Sequence, residues 1–180
     1  AHGAAAVVVV TGPVEILPPH GIRTIAVESA EEMLTAGLAE VDRADLVIGA
    51  AAVSDLRFTG GVREGKIPRL SLSDTLAVEK TPDVLGSLSA RRRAGQVFVG
   101  FAAEEDLSGE RAEEERRARR LDLVLANRIP EAFGATRAEA VILSETGREN
   151  LGVRPKEEIA SILMERAAAL LSHAMATVRA

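Results

Sequence analysis

The chain has no cysteine, no tryptophan and no tyrosine, and only four phenylalanines. Without cysteine it forms neither a disulfide nor a thiolate metal site, so nothing points to an oxidising compartment and a cytoplasmic location is the default reading. With so few aromatic side chains, stacking on nucleobases must be sparse, and base recognition would rest mainly on backbone groups. No apolar run approaches the roughly 20 residues of a membrane span, and the start lacks the basic opening of a secretory signal. A basic excess is missing too. The net charge is -5, which argues against nucleic acid as a partner because neutralising phosphates needs a basic surface. Five arginines between Arg111 and Arg120 are interleaved with Glu113, Glu114 and Glu115, the pattern of a solvated, salt-bridged helix face. Also absent are GxGxxG after a strand, GxxxxGK[ST], HExxH and GxSxG. His2, His20 and His173 show no metal-ligand spacing.

What is present fits one globular domain: 180 residues, 47% of them hydrophobic, enough to bury a core. Short β-branched runs alternate with helical patterns, the signature of an α/β fold with a mostly parallel sheet flanked by helices in three Rossmann-like layers. Strands are expected at Ala4 to Val10, Ile22 to Val27, Asp45 to Ala52, Leu76 to Glu79, Gln96 to Ala102 and Leu121 to Ala126. A late hairpin joins Ala140–Ser144 to Asn150–Val153. Ser29 with Glu32 makes a capping box, and Met33, Leu34, Leu38 and Val41 form the apolar stripe of the helix that follows. Thr81-Pro82-Asp83 reads as the start of a helix running to Arg93, with Thr81 as N-cap and Pro82 at the first helical position. Gly109 to Arg120 is a charged helix, and Pro155 opens a last amphipathic helix reaching about His173. Thr59 to Lys66, polar and glycine-bearing, is expected to be a mobile loop. No repeat or linker divides residues 1–180.

In an open α/β sheet, ligands bind beyond the carboxyl ends of the strands. The residues there are Gly12, the stretch from Gly49 to Asp55, those around Thr81, Phe101 to Glu104, and Asn127. Gly49, Ala50 and Ala51 are small enough to let a ligand approach the backbone, though small residues also serve to pack a helix. Asp55 could accept from a ribose hydroxyl or help hold Mg2+, or simply cap a turn. Lys66 could close over a triphosphate, although loop lysines are commonly just solvated. Pro82, Asp83, Val84 and Leu85 open a helix whose free N–H groups suit an anion. Phe101 is one of few candidates for contact with a base, or else packs in the core. Arg119 and Arg120 could reach phosphates or form surface salt bridges.

Taken in order, seven segments carry a family likeness. They are Val10-Thr11-Gly12-Pro13-Val14, Ser29-Ala30-Glu31-Glu32-Met33, Ala51 to Asp55 (AAVSD), Gly65-Lys66-Ile67, Lys80 to Leu85 (KTPDVL), Val99 to Glu104 (VGFAAE) and Asp122 to Asn127 (DLVLAN). In this the chain resembles the phosphopantothenate-cysteine ligase family, usually the C-terminal half of a bifunctional coenzyme A biosynthesis protein. The resemblance implies a nucleotide, CTP or in some relatives ATP, lying across Gly49, Ala50, Ala51, Asp55, Pro82 to Leu85, Phe101 and Arg119. It places Lys66 on the triphosphate as the catalytic cation. It implies Mg2+, with 4'-phosphopantothenate and cysteine as co-substrates. It also implies a homodimer and a fused or associated flavin-dependent phosphopantothenoylcysteine decarboxylase.

Three departures stand out. Where the family reads KIKK, this chain has Lys66-Ile67-Pro68-Arg69. Where it places two phosphate-facing lysines four apart, Glu115 and Arg119 stand here. A Rossmann-type domain opens with a strand, glycine loop and helix, whereas Ala1-His2-Gly3-Ala4 runs straight into a strand, so a first unit is expected to be missing. The alternatives to the ligase are a degraded paralogue that binds nucleotide or a partner and, less favoured, a nicotinamide-dependent oxidoreductase.

Overall fold

The computed structural model describes residues 6–15, 18–59, 65, 75–128 and 135–178. They fall into two compact units, one of Ala1–Ala36 with Ala51–Val84 and one of Gly37–Ala50 with Leu85–Ala180.

In the first unit β1 (Val8–Thr11) pairs in parallel with β2 (Arg23–Ala26). Pro13, Pro18 and Pro19 on the connection, each lacking an N–H, keep it from becoming a helix. Helix α1 (Ala30–Val41) starts in this unit. Its capping box forms: Glu32 N–H donates to Ser29 Oγ at 3.2 Å, and Glu32 Oε2 accepts from Glu28 N–H at 2.7 Å.

Two short strands, β4 (Leu56–Phe58) and β5 (Val78–Lys80), make an antiparallel ribbon. At three residues, β4 is too short to show a period of two, so periodicity does not reveal it. Arg57 ties the ribbon to α1 by pairing with both Glu79, at 2.9 Å, and Glu31.

The second unit contains β3 (Leu46–Gly49), the body of α2 (Val84–Ala90), β6 (Val97–Glu104), α3 (Glu110–Ala118), β7 (Leu123–Arg128), β8 (Arg137–Ser144), β9 (Gly147–Pro155) and α4 (Lys156–Val178). Its sheet has the order β3-β6-β7-β8-β9; the β3–β6 and β6–β7 pairs are parallel and the last two antiparallel. This is the mixed α/β fold expected, a central sheet flanked by helices.

Side chains alternate along β6. Val97 and Val99 face a core built with Leu123, Leu125 and Ile142 and closed by Ile159, Leu163 and Ala167 of α4. Phe98 and Gly100 face the other way, toward α2 and α3. A Cβ on Gly100 would meet Leu121 Cδ1 at 2.7 Å and Leu85 Cδ2 at 3.3 Å, and one on Gly49 would meet Leu85 Cδ2 at 2.8 Å. Gly49 and Gly100 are register partners, so Leu85 seats in a notch made by two adjacent missing side chains. Leu85 is half-buried there, so it contributes part of the roughly 1.5–3 kcal/mol that full burial of such a side chain brings.

Several expected boundaries shift. Strand β3 stops at Gly49 and leaves Ala50 to Ala52 as irregular backbone. Helix α2 ends at Ala90 in place of Arg93, closing with tight turns from Arg91 N to Leu88 O and from Arg92 N to Ser89 O. The freed arginines turn back to the strand starts: Arg91 pairs with Asp42 at 2.7 Å, Arg93 with Asp45 at 2.7 Å, and Arg92 with Asp122. The Arg92 guanidinium also lies 4.7 Å from the Phe98 ring centroid.

The hairpin is longer than expected, reaching Arg137 and Pro155. Helix α4 runs for 23 residues with a window of mean hydropathy 1.2, long and apolar enough by length and composition to cross a membrane. That corrects the expectation that no apolar run approaches span length: Glu165 and Arg166 interrupt the sequence but leave its mean hydropathy high. The stripe Ile159, Leu163 and Ala167 is nevertheless packed in the core of the second unit.

Two outcomes follow from this packing. If Gly49 exists to seat Leu85, Gly49→Val destabilises the protein by about 1–3 kcal/mol through overpacking, despite valine's better strand propensity. Leu85→Ala then costs less in that background than alone, as urea midpoints in a double-mutant cycle should show; a stabilising Gly49→Val contradicts the notch. The second concerns α3, where bonds from Arg116, and then Arg117, hold the Glu113 carboxyl down to about 2 from an ordinary 4.5. Because the folded value is depressed, the associated stability is full above the ordinary carboxylate range and is lost as pH falls from there toward 2. Urea titrations of wild type and Glu113→Gln should therefore differ near neutrality and converge in acid.

Candidate nucleotide site

Each unit brings part of the expected site together. In the first, the Ser54–Asp55 turn is fastened to the segment ahead of α2. Thr81 N–H donates to the Asp55 carbonyl at 3.0 Å, and the Thr81 hydroxyl donates to the Ser54 carbonyl. Asp55 and Pro82 are thereby neighbours across one backbone bond, although 26 residues separate Asp55 from Thr81 in the chain.

Thr81 is thus not the N-cap the sequence reading expected. Its hydroxyl is taken by Ser54, and α2 begins two residues after Pro82, at Val84. Ala51 and Asp55 are exposed, Pro82 is half-buried and Asp83 is exposed. The Asp55 carboxylate has no partner among the described residues, which leaves it available to a hydroxyl or a hydrated cation.

In the second unit, Gly49 ends β3 and Ala50 follows it. Phe101, one residue beyond Gly100, the register partner of Gly49, stands within β6, which runs on to Glu104 past the expected end at Ala102. Leu85 covers the backbone between the two strands. Gly49 thus serves helix packing, the use weighed against ligand approach. Phe101 is 39% exposed, so it is not the core residue its hydrophobicity allowed. By alternation it lies on the face opposite Leu85. A ligand touching both must straddle the sheet's edge, as ligands at strand ends do.

Arg119, at the end of α3, is held by Glu115 at 3.1 Å, and its carbonyl accepts from the Ser89 hydroxyl. Lys66, Ile67, Pro68 and Arg69 lie outside the described residues, as do Gly60 to Glu64.

Sequence reading did not single out Glu104 by chemistry. It is 8% exposed; one carboxylate oxygen accepts from Ala112 N–H in the first turn of α3 at 2.8 Å, and the other has no partner among the described residues. A glutamate ending an apolar strand was the available signal. Arg148 also went unmarked. It reaches from β9 to the carbonyls of Leu107 and, at 2.9 Å, Ser108, and so fixes the loop after β6.

A cleft of about 240 Å³ opens elsewhere, between Leu123, Ser144, Thr146 and Arg166. It contains no expected site residue, and Arg166 there is bound to Glu149 by bonds of 2.9 and 2.8 Å. No cluster of three or more potential metal ligands occurs among the described residues.

Comparison with known proteins is consistent across sequence and structure. The model of the family "DNA/pantothenate metabolism flavoprotein C-terminal domain" matches residues 1–171. The coenzyme A biosynthesis bifunctional protein CoaBC of Bacillus subtilis is 32% identical over 92% of this chain and 42% of its own length. Those of Escherichia coli K12 and Borreliella burgdorferi are 29% and 27% identical. The chain spans about two fifths of the length of the curated relatives it matches.

Among solved structures, the C-terminal domain of a CoaBC protein superposes with a TM-score of 0.73 at 26% identity, covering 93% of this chain and 77% of that one. A Cab2 mutant in complex with phosphopantothenate-cysteine shares the fold at a TM-score of 0.67 and 17% identity, covering 84% of this chain and 55% of that one. With the family model matching almost from end to end, this chain belongs to the DNA/pantothenate metabolism flavoprotein C-terminal domain family.

Proposed function

We propose that this chain is the nucleotide-binding body of a ligase that joins 4'-phosphopantothenate to cysteine at the expense of CTP, a step of coenzyme A biosynthesis. The observation that carries this reading, beyond family membership, is the joining of the AAVSD and KTPD segments through Thr81. It sets a free carboxylate, Asp55, beside the start of α2.

A carboxylate is a poor acyl donor until one of its oxygens becomes a good leaving group. In the proposed reaction a carboxylate oxygen of phosphopantothenate attacks the α-phosphorus of CTP and pyrophosphate departs, leaving an acyl-cytidylate. The amine of cysteine then attacks the acyl carbon, loses a proton, and CMP leaves. Lys66 is proposed to stabilise charge developing on the triphosphate, and Gly49 to Ala51, Asp55, Pro82 to Leu85 and Phe101 to hold the nucleotide. Mg2+ fits this donor set as an ion carried chiefly by nucleotide phosphates and water, with Asp55, unpartnered among the described residues, as a carboxylate available to it. When bound, it would neutralise phosphate charge.

The reading extends to partners. Leu56, Phe58, Leu76 and Val78, on the β4–β5 ribbon and just before it, are each more than half exposed. An apolar ribbon of this kind suits a homodimer contact. The word bifunctional in the relatives' name and flavoprotein in the family's description support a second, fused or associated activity, which on this reading is the flavin-dependent decarboxylase, with a cytoplasmic location.

A second reading, a relative that binds nucleotide without forming the amide, draws on Glu115, which ties up Arg119. One assay separates the two. With CTP, phosphopantothenate and Mg2+, the intact protein should release pyrophosphate, and Lys66→Ala should slow release by about 100-fold, the size of losing one transition-state charge contact. Release that depends on ATP in place of CTP would reassign the nucleotide, and absence of release with either rejects the ligase for the binding protein.

A further inference from the structure

Strand β9 forms one edge of the five-stranded sheet. It pairs with β8, and no strand among the described residues lies on its other side. At nine residues it is a long edge. The open side of an edge strand carries N–H and C=O groups able to pair with a strand from another molecule. Val153, β-branched and 55% exposed, adds an apolar side chain that suits such pairing.

The chain's own side chains occupy this stretch. The Arg137 guanidinium donates to the Val153 carbonyl at 3.0 Å, and Arg154 Nε donates to the Leu151 carbonyl at 2.7 Å. Asn150 Oδ1 accepts from Gly152 N–H at 2.8 Å. Three consecutive residues, Leu151, Gly152 and Val153, thus each have a backbone group held by a side chain. The register with β8 also shifts between Ala140 and Val141, and Gly152 stands at φ 65°, so the edge is bent where it is held. Pro155, which lacks an N–H, ends the strand.

Arg137 separates edge protection from ordinary ion pairing. It is exposed, and its side chain has the Val153 carbonyl as its one partner among the described residues. Other arginines of this unit meet carboxylates, as Arg128 meets Glu139 and Arg166 meets Glu149. A surface cation gains little net stability from one neutral carbonyl. What the bond changes is whether that carbonyl is open to a second chain.

We infer that Arg137, Asn150 and Arg154 shut the β9 edge against strand addition by a second copy of this chain, which leaves self-association to other surfaces. The inference is independent of the ligase reading, because it uses only the backbone groups of β9 and the side chains that hold them.

The test is the association state of the intact protein, followed by sedimentation velocity over a concentration series and by the intermolecular-strand band in the infrared spectrum. Arg137→Ser combined with Arg154→Ser should self-associate about tenfold more strongly than wild type and gain that band. Both changes make an acidic chain more acidic, so a general charge effect would oppose this result. Arg137→Ser alone removes one exposed hydrogen bond; it should shift association about threefold in the same direction and serves if the pair fails to fold. Adding Val153→Lys to either variant should restore wild-type behaviour, since an edge lysine blocks pairing by itself. Arg91→Ser, equal in charge but at the strand starts, should stay within about twofold of wild type.

Folded variants that sediment as wild type does overturn the inference. So does association that Val153→Lys leaves in place, or that Arg91→Ser matches. Association reversed by Val153→Lys upholds it, whatever becomes of the ligase activity.

Discussion

Leu85 seated between Gly49 and Gly100 is the contact on which the second unit is organised. Two register partners on adjacent parallel strands both lack a side chain on the same face, and one leucine at the start of α2 occupies the space of both. The helix is drawn onto the backbone of β3 and β6, closer than any pair of alanines would permit. Its direction then brings Leu88 against Gly37 of α1, where a Cβ would meet Leu88 Cδ1 at 3.0 Å. The small residues at the strand ends therefore serve the core first.

Charge in this protein is mostly consumed locally. At the strand starts, Arg91, Arg92 and Arg93 each meet an aspartate, while Gln96 donates to the carbonyls of Val41 and Ala44 at 2.6 and 2.7 Å. That ties the end of α1 to the start of β6. Asp122 does double duty, accepting from Phe98 N–H at 2.6 Å while pairing with Arg92. Along α3 the same economy holds with Glu113 and Glu115. Among the described residues, the carboxylate of Asp55 is exposed and unpartnered, and the second oxygen of Glu104 is buried without a partner.

Much of the fold was legible in advance because it follows from periodicity. The continuous apolar runs Val97–Val99 and Leu123–Leu125 announce buried parallel strands, and Ser29 with Glu32 announces a helix start. What escaped were elements whose existence depends on distant partners. Strand β4 is three residues long and exists through its ladder to β5, and α2 ends early because Arg91 to Arg93 find aspartates far away in the chain. Thr81 was misjudged for the same reason. Locally it is a good N-cap, but the Ser54 carbonyl, 27 residues away, takes its hydroxyl. At the site, the order of the segments identified the family, but not that Gly49 packs Leu85, that Phe101 is exposed, or that Glu115 holds Arg119.

The sequence by itself determined the α/β class, the absence of disulfide chemistry and the family. Composition and the order of local motifs carry those without reference to distance. The tertiary structure alone decided which small residues are packing devices, which charges are free and which face of the sheet each strand-end residue occupies. Those properties are set by strand register and helix seating, where a shift of one residue would send every side chain to the other face.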